Sequence, residues 1–382
     1  MPRTGLARAM LWLLAVLAPV GSALGDVAAA ANETASTAPR PVSIEFLSAE
    51  EARAAIVDDS LEPYFDLLQP MEMSAKTGAA ITGETLEEQR AECRRRYQAG
   101  VREFTAEEEG AIRSCVEALL PGLREHYPLF SRMPWRFLKT SNRIECGLAH
   151  TRGRHIVLSE RMCQHLIRLR RSSLERAVSI GAEILAHEQM HVFQRTHGGL
   201  FDSLYTGVWG FVRAKSIERC PWLVEHSLAN PDGTDCGWVF PIRTQQGTTY
   251  LWPLVVLAEG EGLKAIPRDI RQIAVELEQT AQGFRPKVGQ DGRCAFRGLS
   301  SVTEYRKALP LKSSNYHPHE ASAALFAAIV VLDAFFPEEE VRPGTKRSAA
   351  EKVLAPMRTW FRQNLKEGPA GRVETEPRPG GP

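Results

Sequence analysis

The segment His187-Glu188-Gln189-Met190-His191 places two imidazoles and a carboxylate within five consecutive residues. On an α-helix, residues i and i+4 project from the same face, so both imidazoles can reach one metal ion. Glu188 lies beside them, where its carboxylate can take a proton from a water activated by the metal. The preceding turns are apolar on all sides, which indicates a buried helix whose polar side chains need partners. The pattern therefore predicts a zinc-dependent hydrolytic site.

This HExxH pattern resembles the motif of the zincin superfamily of zinc metallopeptidases, over about residues 174–197. In zincins the motif helix packs behind a sheet whose edge strand borders the cleft, and residues 147–158 are similar in position to that edge. The resemblance implies a helix-rich α+β fold with a small sheet before the motif helix. It also implies Zn²⁺ as the cofactor and a peptide or protein as the substrate.

A catalytic zinc needs three protein ligands and one open position. In the metzincin branch the motif extends to HExxHxxGxxH, and His197 stands where the last histidine falls. Gln194 replaces the glycine, however, and a non-glycine residue there is disfavoured in the left-handed conformation. No methionine follows the helix before Met357 to form the expected turn. A histidine at a helix C-terminus is also favoured by the helix dipole alone, so His197 is the alternative third ligand.

In the gluzincin branch the third ligand is a glutamate on a separate downstream helix, and residues 315–321 resemble such a segment. Pro318 fits the first position of a helix, which places Glu320 in its first turn. Small apolar residues follow, so this helix can be buried and can approach the motif helix closely. Glu320 is therefore the preferred third ligand beside His187 and His191. The other interpretation is that Glu320 only complements the helix dipole.

The resemblance leaves the supporting groups open. The thermolysin-like pattern has an aspartate four residues after the glutamate ligand, and here Ala324 occupies that position. An acid that supports the site must then come from elsewhere, with Asp202 and Asp333 as candidates. Tyr316 and Tyr250 are candidates for polarising the substrate carbonyl, although each is also explained by ordinary packing.

Two further histidines lie at the start of the downstream helix. His317 and His319 could each serve as the third ligand or as a hydrogen-bond donor to the transition state. A histidine-rich helix start is, however, also typical of a solvated surface.

Residues 1–25 have the organisation of an export signal. Arg3 and Arg8 precede an apolar stretch, Ala9 to Val20, that is too short for an ordinary transmembrane helix. Ala23-Leu24-Gly25 supplies small residues at a cleavage site. The sequence predicts an exported protein, periplasmic or extracellular, with no membrane span in the mature chain. An uncleaved membrane anchor is the alternative.

Composition limits the remaining function classes. The 382 residues carry 47 basic and 46 acidic side chains, a net charge of +1, which excludes a strongly basic nucleic-acid-binding protein. With 43% hydrophobic residues the chain as a whole is not disordered. The organisation predicted after the signal is a flexible linker over 26–42, a helical N-terminal region over 43–130, a catalytic domain over 131–340, a C-terminal helix over 341–365 and a disordered tail over 366–382.

Local patterns predict the elements that position the site. Ser48 and Glu51 form a capping-box pattern at the start of a helix that runs through Val57. The run Ile156-Val157-Leu158 indicates a β-strand. The further helices are expected over Leu86–Tyr97, Ala106–Leu120, Leu174–Gln194, Arg268–Gln282, Pro318–Phe335 and Ser348–Leu365.

Seven cysteines follow the signal, and export to an oxidising compartment favours disulfide bonds among them. Cys220 and Cys236 bracket a turn-rich segment and are the preferred pair. Cys93 and Cys115 could link two neighbouring helices. Buried free thiols are the alternative for either pair.

Taken together, the sequence predicts an exported zinc peptidase in which Glu188 is the general base. One rival is a cell-envelope protein that binds zinc without cleaving peptides, and another is an exported helical protein in which the motif is accidental.

We expect the exported protein to lack residues 1–25, because signal peptidases cut after small residues that follow an apolar stretch. Intact-mass measurement of the exported product checks this. A membrane-bound product that retains Met1 would support the anchor instead.

Overall fold

The computed structural model describes residues 42–172, 175–245, 247–309, 311, 316–335 and 349–366. The predicted signal, the linker up to residue 41 and the tail from residue 367 lie outside the described residues. The described part of the chain has an α+β fold, as the sequence predicts.

Helices make up most of the regular structure. In chain order the α-helices of the described residues are α1 (Ala49–Ala55), α2 (Tyr64–Leu67), α3 (Pro70–Thr77), α4 (Leu86–Gly100), α5 (Ala106–His126), α6 (Pro128–Ser131), α7 (Glu160–Arg171), α8 (Glu175–Thr196), α9 (Pro221–His226), α10 (Thr303–Ala308), α11 (Pro318–Phe335) and α12 (Ala349–Asn364). The predicted capping box between Ser48 and Glu51 is formed at the start of α1. Five of the other expected helices are confirmed as α4, α5, α8, α11 and α12, and α11 has the predicted bounds.

The strands form two sheets. In chain order they are β1 (Ile44–Phe46), β2 (Val101–Arg102), β3 (Trp135–Thr140), β4 (His150–Arg152), β5 (His155–Ser159), β6 (Val212–Arg213), β7 (Trp238–Thr244), β8 (Gly247–Leu257), β9 (Ile270–Gln279), β10 (Phe284–Pro286) and β11 (Phe296–Gly298). The first sheet has the order β1-β3-β5-β4, with β2 paired to β3. The second has the order β10-β9-β8-β7-β6, with β11 paired to β9.

The first sheet precedes α8 in the chain, as expected. Strands β1, β3 and β5 are parallel, and β4 pairs with β5 in an antiparallel hairpin at the end of the sheet. Gly153 closes this hairpin at φ +55°, a left-handed conformation that favours glycine. Because β4 ends the strand order, its outer main-chain groups bond side chains rather than another strand: the Thr151 N–H donates to Asp232 at 2.6 Å, and the Thr151 oxygen accepts from Arg195 at 3.4 Å.

The second sheet was not predicted, and the helix expected over Arg268–Gln282 is wrong. That segment contains β9, which pairs with β8 in antiparallel register. Ile273, Val275 and Leu277 alternate along it and are buried on one face in the core of the second sheet. Apolar residues at every second position are typical of a strand. This alternation decides the structure here, although the charged residues of the same segment have helical spacing.

The site helices pack in the largest hydrophobic core. That core joins α5, α8 and α11 to the first sheet, and the Phe326 ring of α11 lies 4.6 Å from Phe130 and 5.1 Å from Phe361 between ring centroids. Within the described residues α11 is the one helix with the length and hydropathy to cross a membrane, but 61% of its 18-residue window is buried inside the protein. Its burial is that of a core helix.

All seven cysteines are free thiols in the structure. The expected bridges between Cys220 and Cys236 and between Cys93 and Cys115 are therefore absent. Cys220 lies against Cys294, which is distant in sequence. Cys93 and Cys115 are buried in different hydrophobic cores, so their sulfur atoms face separate sets of side chains.

We expect Phe326→Ala to lower the free energy of unfolding by about 3–5 kcal/mol, because the truncation leaves a cavity among aromatic rings beside the site helices. Urea denaturation measures the change. Leu263→Ala is the control, since that side chain is 49% exposed and its loss should cost less than about 0.5 kcal/mol. An equal effect of both substitutions would contradict the packing described.

Candidate metal centre

The three preferred ligands converge at one point. His187 and His191 project from α8, and Glu320 projects from the first turn of α11. The two Nε2 atoms are 3.1 Å apart, and the Glu320 oxygens lie 3.6 Å from each of them. The three ligand atoms all lie within 4.8 Å of one another. This arrangement brings together side chains separated by more than 120 residues in sequence.

The spacing suits a tetrahedral metal ion. Nitrogen and oxygen ligands lie about 2.0–2.1 Å from zinc, so two ligands at a tetrahedral angle are roughly 3.3 Å apart. The observed separations of 3.1 Å and 3.6 Å bracket that value. Two imidazoles and one carboxylate, with a fourth position left open, are also a donor set that catalytic zinc sites use. The residues present therefore fit zinc.

His191 is oriented by Gln194, one turn further along α8. The Nδ1 atom of His191 lies 2.9 Å from the Gln194 side-chain oxygen, so Nδ1 carries the proton and Nε2 presents its lone pair to the site. The Gln194 amide in turn donates to the Ser322 hydroxyl at 2.7 Å and to the main-chain oxygen of His319 at 3.1 Å. Gln194 thus ties the motif helix to the helix that carries Glu320.

Glu320 is held by two neutral side chains. The Asn230 amide donates to its Oε1 atom at 2.6 Å, and the Tyr316 hydroxyl hydrogen-bonds the same carboxylate. These contacts fix the rotamer of a buried carboxylate and leave its outer lone pairs for a metal. Tyr316, expected as a carbonyl-polarising group, therefore lies at the site but contacts the ligand.

Burial and neighbouring charges hold His191 and Glu320 in the protonation states that bind a metal, whereas His187 must lose a proton when a metal binds. Burial strongly disfavours the charged form of His191 and lowers its pKa to about 3, so its imidazole is neutral. Burial alone would raise the pKa of Glu320, but the neighbouring His191 and His187 outweigh it and the pKa is lowered. Burial likewise opposes the charge on His187, yet the hydrogen bond and charge of Glu320 raise its pKa. A neutral imidazole beside a carboxylate is the form that a cation requires.

Glu188 is buried beside the ligands, next to a second carboxyl group, Asp232. Burial, followed by the charges of Asp232 and Glu320, raises its pKa well above the usual range. Burial and the charge of Glu320 raise the pKa of Asp232 to about 6. Glu188 hydrogen-bonds Asp232 through one oxygen, while its Oε2 atom is buried with no partner among the described groups. That orphaned oxygen is available to a group that enters the site.

Two of the candidate residues lie elsewhere. The ring of His197 stacks on Phe193 with centroids 4.1 Å apart, at the end of α8, and is not part of the ligand cluster. The helix continues through Gln194 without the sharp turn that would bring His197 back to the site. Tyr250 lies on β8, where its ring packs on Phe284 at 4.8 Å in the core of the second sheet.

The acids expected to support the ligands also act elsewhere. Asp333 accepts hydrogen bonds from Tyr127 at 2.6 Å and Arg362 at 3.1 Å, and so ties α12 to the core. Asp202 follows the short 3₁₀ helix Gly198–Phe201, beyond the end of α8. Amides from Gln194 and Asn230 support the site instead.

Two more histidines lie near the ligands without joining them. The rings of His317 and His319 are 4.7 Å apart, and His317 Nδ1 accepts the main-chain N–H of His319 at 3.3 Å. His319 contributes its main-chain oxygen to Gln194 rather than its ring to the cluster.

Sequence reasoning missed Asn230, Asp232 and Gln194 as site residues. Asn230 and Asp232 belong to an Asn-Pro-Asp-Gly sequence, whose visible signal is a turn, and the turn is present. Asn230 contacts Glu320, and Asp232 contacts Glu188, only because long-range packing brings this turn to the site. In the sequence, Gln194 indicates only that the metzincin glycine is absent, and nothing in the local pattern predicts its hydrogen bond to His191.

We expect wild-type protein to bind one zinc ion per chain, and His187→Ala, His191→Ala and Glu320→Ala each to lose most of the zinc affinity, because each removes one of three ligands. Metal analysis after dialysis measures the stoichiometry. His197→Ala is the matched control and should keep zinc. A site emptied by His197→Ala but not by Glu320→Ala would contradict the assignment.

We expect Gln194→Ala to weaken zinc binding by about 10- to 100-fold while retaining the site, since it orients a ligand without being one. Competition with a chromogenic chelator measures the affinity. An unchanged affinity would remove Gln194 from the metal centre.

No protein-family model, curated protein or solved structure matches this chain.

Proposed function

We propose that this protein is an exported zinc-dependent peptidase of the zincin type, gluzincin-like in its glutamate ligand. The observation that carries the proposal is the cluster of His187, His191 and Glu320 with Glu188 beside it. The ligand atoms of His187, His191 and Glu320 have the separations that zinc ligands adopt. The Glu188 carboxylate beside them can carry a proton.

When bound, zinc supplies a Lewis acid that polarises the scissile carbonyl and lowers the pKa of a water. The His187 and His191 imidazoles and the Glu320 carboxylate hold the ion, and together they carry a single negative charge. Gln194 orients His191, and in the described state Asn230 also holds Glu320. Four of these side chains, His187, His191, Gln194 and Glu320, lie on the two helices α8 and α11.

Glu188 is the proposed proton carrier. Its carboxylate accepts the proton of the attacking water and then donates it to the departing amine, so that one group serves both halves of the reaction. A base surrounded by protein rather than water has a raised pKa, as found for Glu188, and this increases its ability to hold that proton.

Strand β4 is the proposed binding edge for the substrate. It ends the strand order of the first sheet, and its Thr151 hydroxyl accepts a hydrogen bond at 2.6 Å from Arg195 of α8, one turn beyond His191. An extended peptide can add to such an edge through main-chain hydrogen bonds, which recognise any peptide regardless of side chain. This geometry favours a peptide over a small-molecule ester.

A second candidate is a cell-envelope protein that binds zinc but does not cleave. The contact between Glu188 and Asp232 favours it, because a base that already shares a proton with a second carboxyl cannot accept one from water. Activity of the purified protein distinguishes the two candidates.

We expect zinc-loaded wild-type protein to cleave members of a peptide library, and Glu188→Gln to retain zinc but lose activity by about 10²–10⁴-fold, since the ligands remain while the proton acceptor is removed. Mass spectrometry of the digest measures cleavage, and metal analysis verifies the zinc content. Glu117→Gln is the control, an exposed carboxyl on α5 that should leave cleavage intact. If Glu188→Gln cleaved as well as wild type, the proposed mechanism would be wrong.

A further inference from the structure

Among the described residues, one segment lies against both a metal ligand and the proposed base. Residues 228–237, named here the strap, connect α9 to β7 and are half-buried along their whole length, whereas His191 and Glu320 beneath them are buried and His187 is half-buried. Asn230 of the strap donates to Glu320, and Asp232 contacts Glu188. The strap therefore touches both a metal ligand and the proposed base.

The strap also occupies the outer edge of β4, whose three residues are buried. The Asp232 Oδ1 atom accepts the main-chain N–H of Thr151 at 2.6 Å and its hydroxyl at 2.9 Å. That N–H is an outer main-chain donor of the edge strand, the kind of group that an extended peptide would use. A peptide and Asp232 cannot both bind it.

Buried charges on two sides anchor the strap. From α3, Glu72 accepts the Ala229 N–H at 2.7 Å, and the Lys76 ammonium donates to the Ala229 oxygen at 2.9 Å. Both charged side chains are at least 98% buried. Glu72 and Lys76 form some of their hydrogen bonds with the strap. Displacing the strap would therefore expose these charged groups or leave them without those partners.

A third anchor links the strap to the motif helix. Arg195 of α8 donates to the Pro231 oxygen, and its guanidinium also pairs with Glu62 at 2.6 Å. Glu62 in turn accepts the Thr234 N–H at 3.1 Å. The strap is thus fixed from α3, from α8, from β4 and from Glu62, two residues before α2.

We propose that the strap is an autoinhibitory segment that fills the substrate position beside β4 and must leave before a peptide can reach the metal centre. This inference rests on the proposed peptidase function. It accounts for the buried contact of Asp232 with Glu188, because the described state is then the latent one, and cleavage or displacement of the strap gives the active one.

The first test removes the bond between the strap and β4. Asp232→Ala in the full chain should accelerate removal of zinc by a chelator by about tenfold or more, because two hydrogen bonds from a carboxylate no longer hold the strap closed. Peptide hydrolysis should rise in parallel. Asp291→Ala, a carboxylate in an exposed turn where it accepts the Arg293 N–H at 3.1 Å, is the matched control and should change neither rate.

The second test leaves Asp232 in place. A site-specific protease sequence is inserted between Gly233 and Thr234, and the purified protein is measured before and after cutting. Cutting should accelerate zinc removal and increase hydrolysis. Unchanged zinc removal both after cutting and in Asp232→Ala would overturn the strap proposal.

The two proposals fail in different ways. If no variant hydrolyses peptides but cutting still accelerates zinc removal, the strap covers the metal and the peptidase function is wrong. If the protein holds no zinc, amide hydrogen exchange of β4 still tests the strap: faster exchange at Thr151 in Asp232→Ala supports it, and equal exchange contradicts it.

Discussion

The close approach of a carboxylate to two imidazoles inside a hydrophobic core is the constraint on which this structure depends. Glu320 lies 3.6 Å from both His187 and His191, on a helix whose other residues are almost all apolar. An ionised carboxylate in such surroundings is stable only if it is paired and hydrogen-bonded. Small residues on α11, including Ala321 and Ala323, let the two helices approach closely enough to meet that need.

The N-terminal region contributes to the site as well as to the sheet. Strands β1 and β2 from that region both pair with β3, so the first sheet is shared between the predicted N-terminal and catalytic regions. Lys76 and Glu145 form a buried ion pair at 3.2 Å, and the hydroxyl of Tyr64 joins them. This polar network lies under the strap, and it links the helical N-terminal region to the segment that covers the metal centre.

The sequence was most informative where local periodicity and chemistry coincide. The motif helix and the helix that begins at Pro318 followed from residue spacing, because a helix fixes which side chains share a face. The preference for Glu320 over His197 came from the resemblance to the gluzincin branch. The second sheet and the strap did not follow. The alternation of Ile273, Val275 and Leu277 was obscured by charged neighbours, and the contact of Asn230 with Glu320 joins residues 90 positions apart. Long-range packing decides such contacts, and no local pattern encodes it.

The most direct test of the central claim is anomalous diffraction at the zinc absorption edge from crystals of the protein grown with zinc. The account predicts one strong peak about 2.0–2.2 Å from the Nε2 atoms of His187 and His191 and from a Glu320 oxygen. A protein with no peak between α8 and α11, or with a peak bound by His197 instead of Glu320, would contradict it.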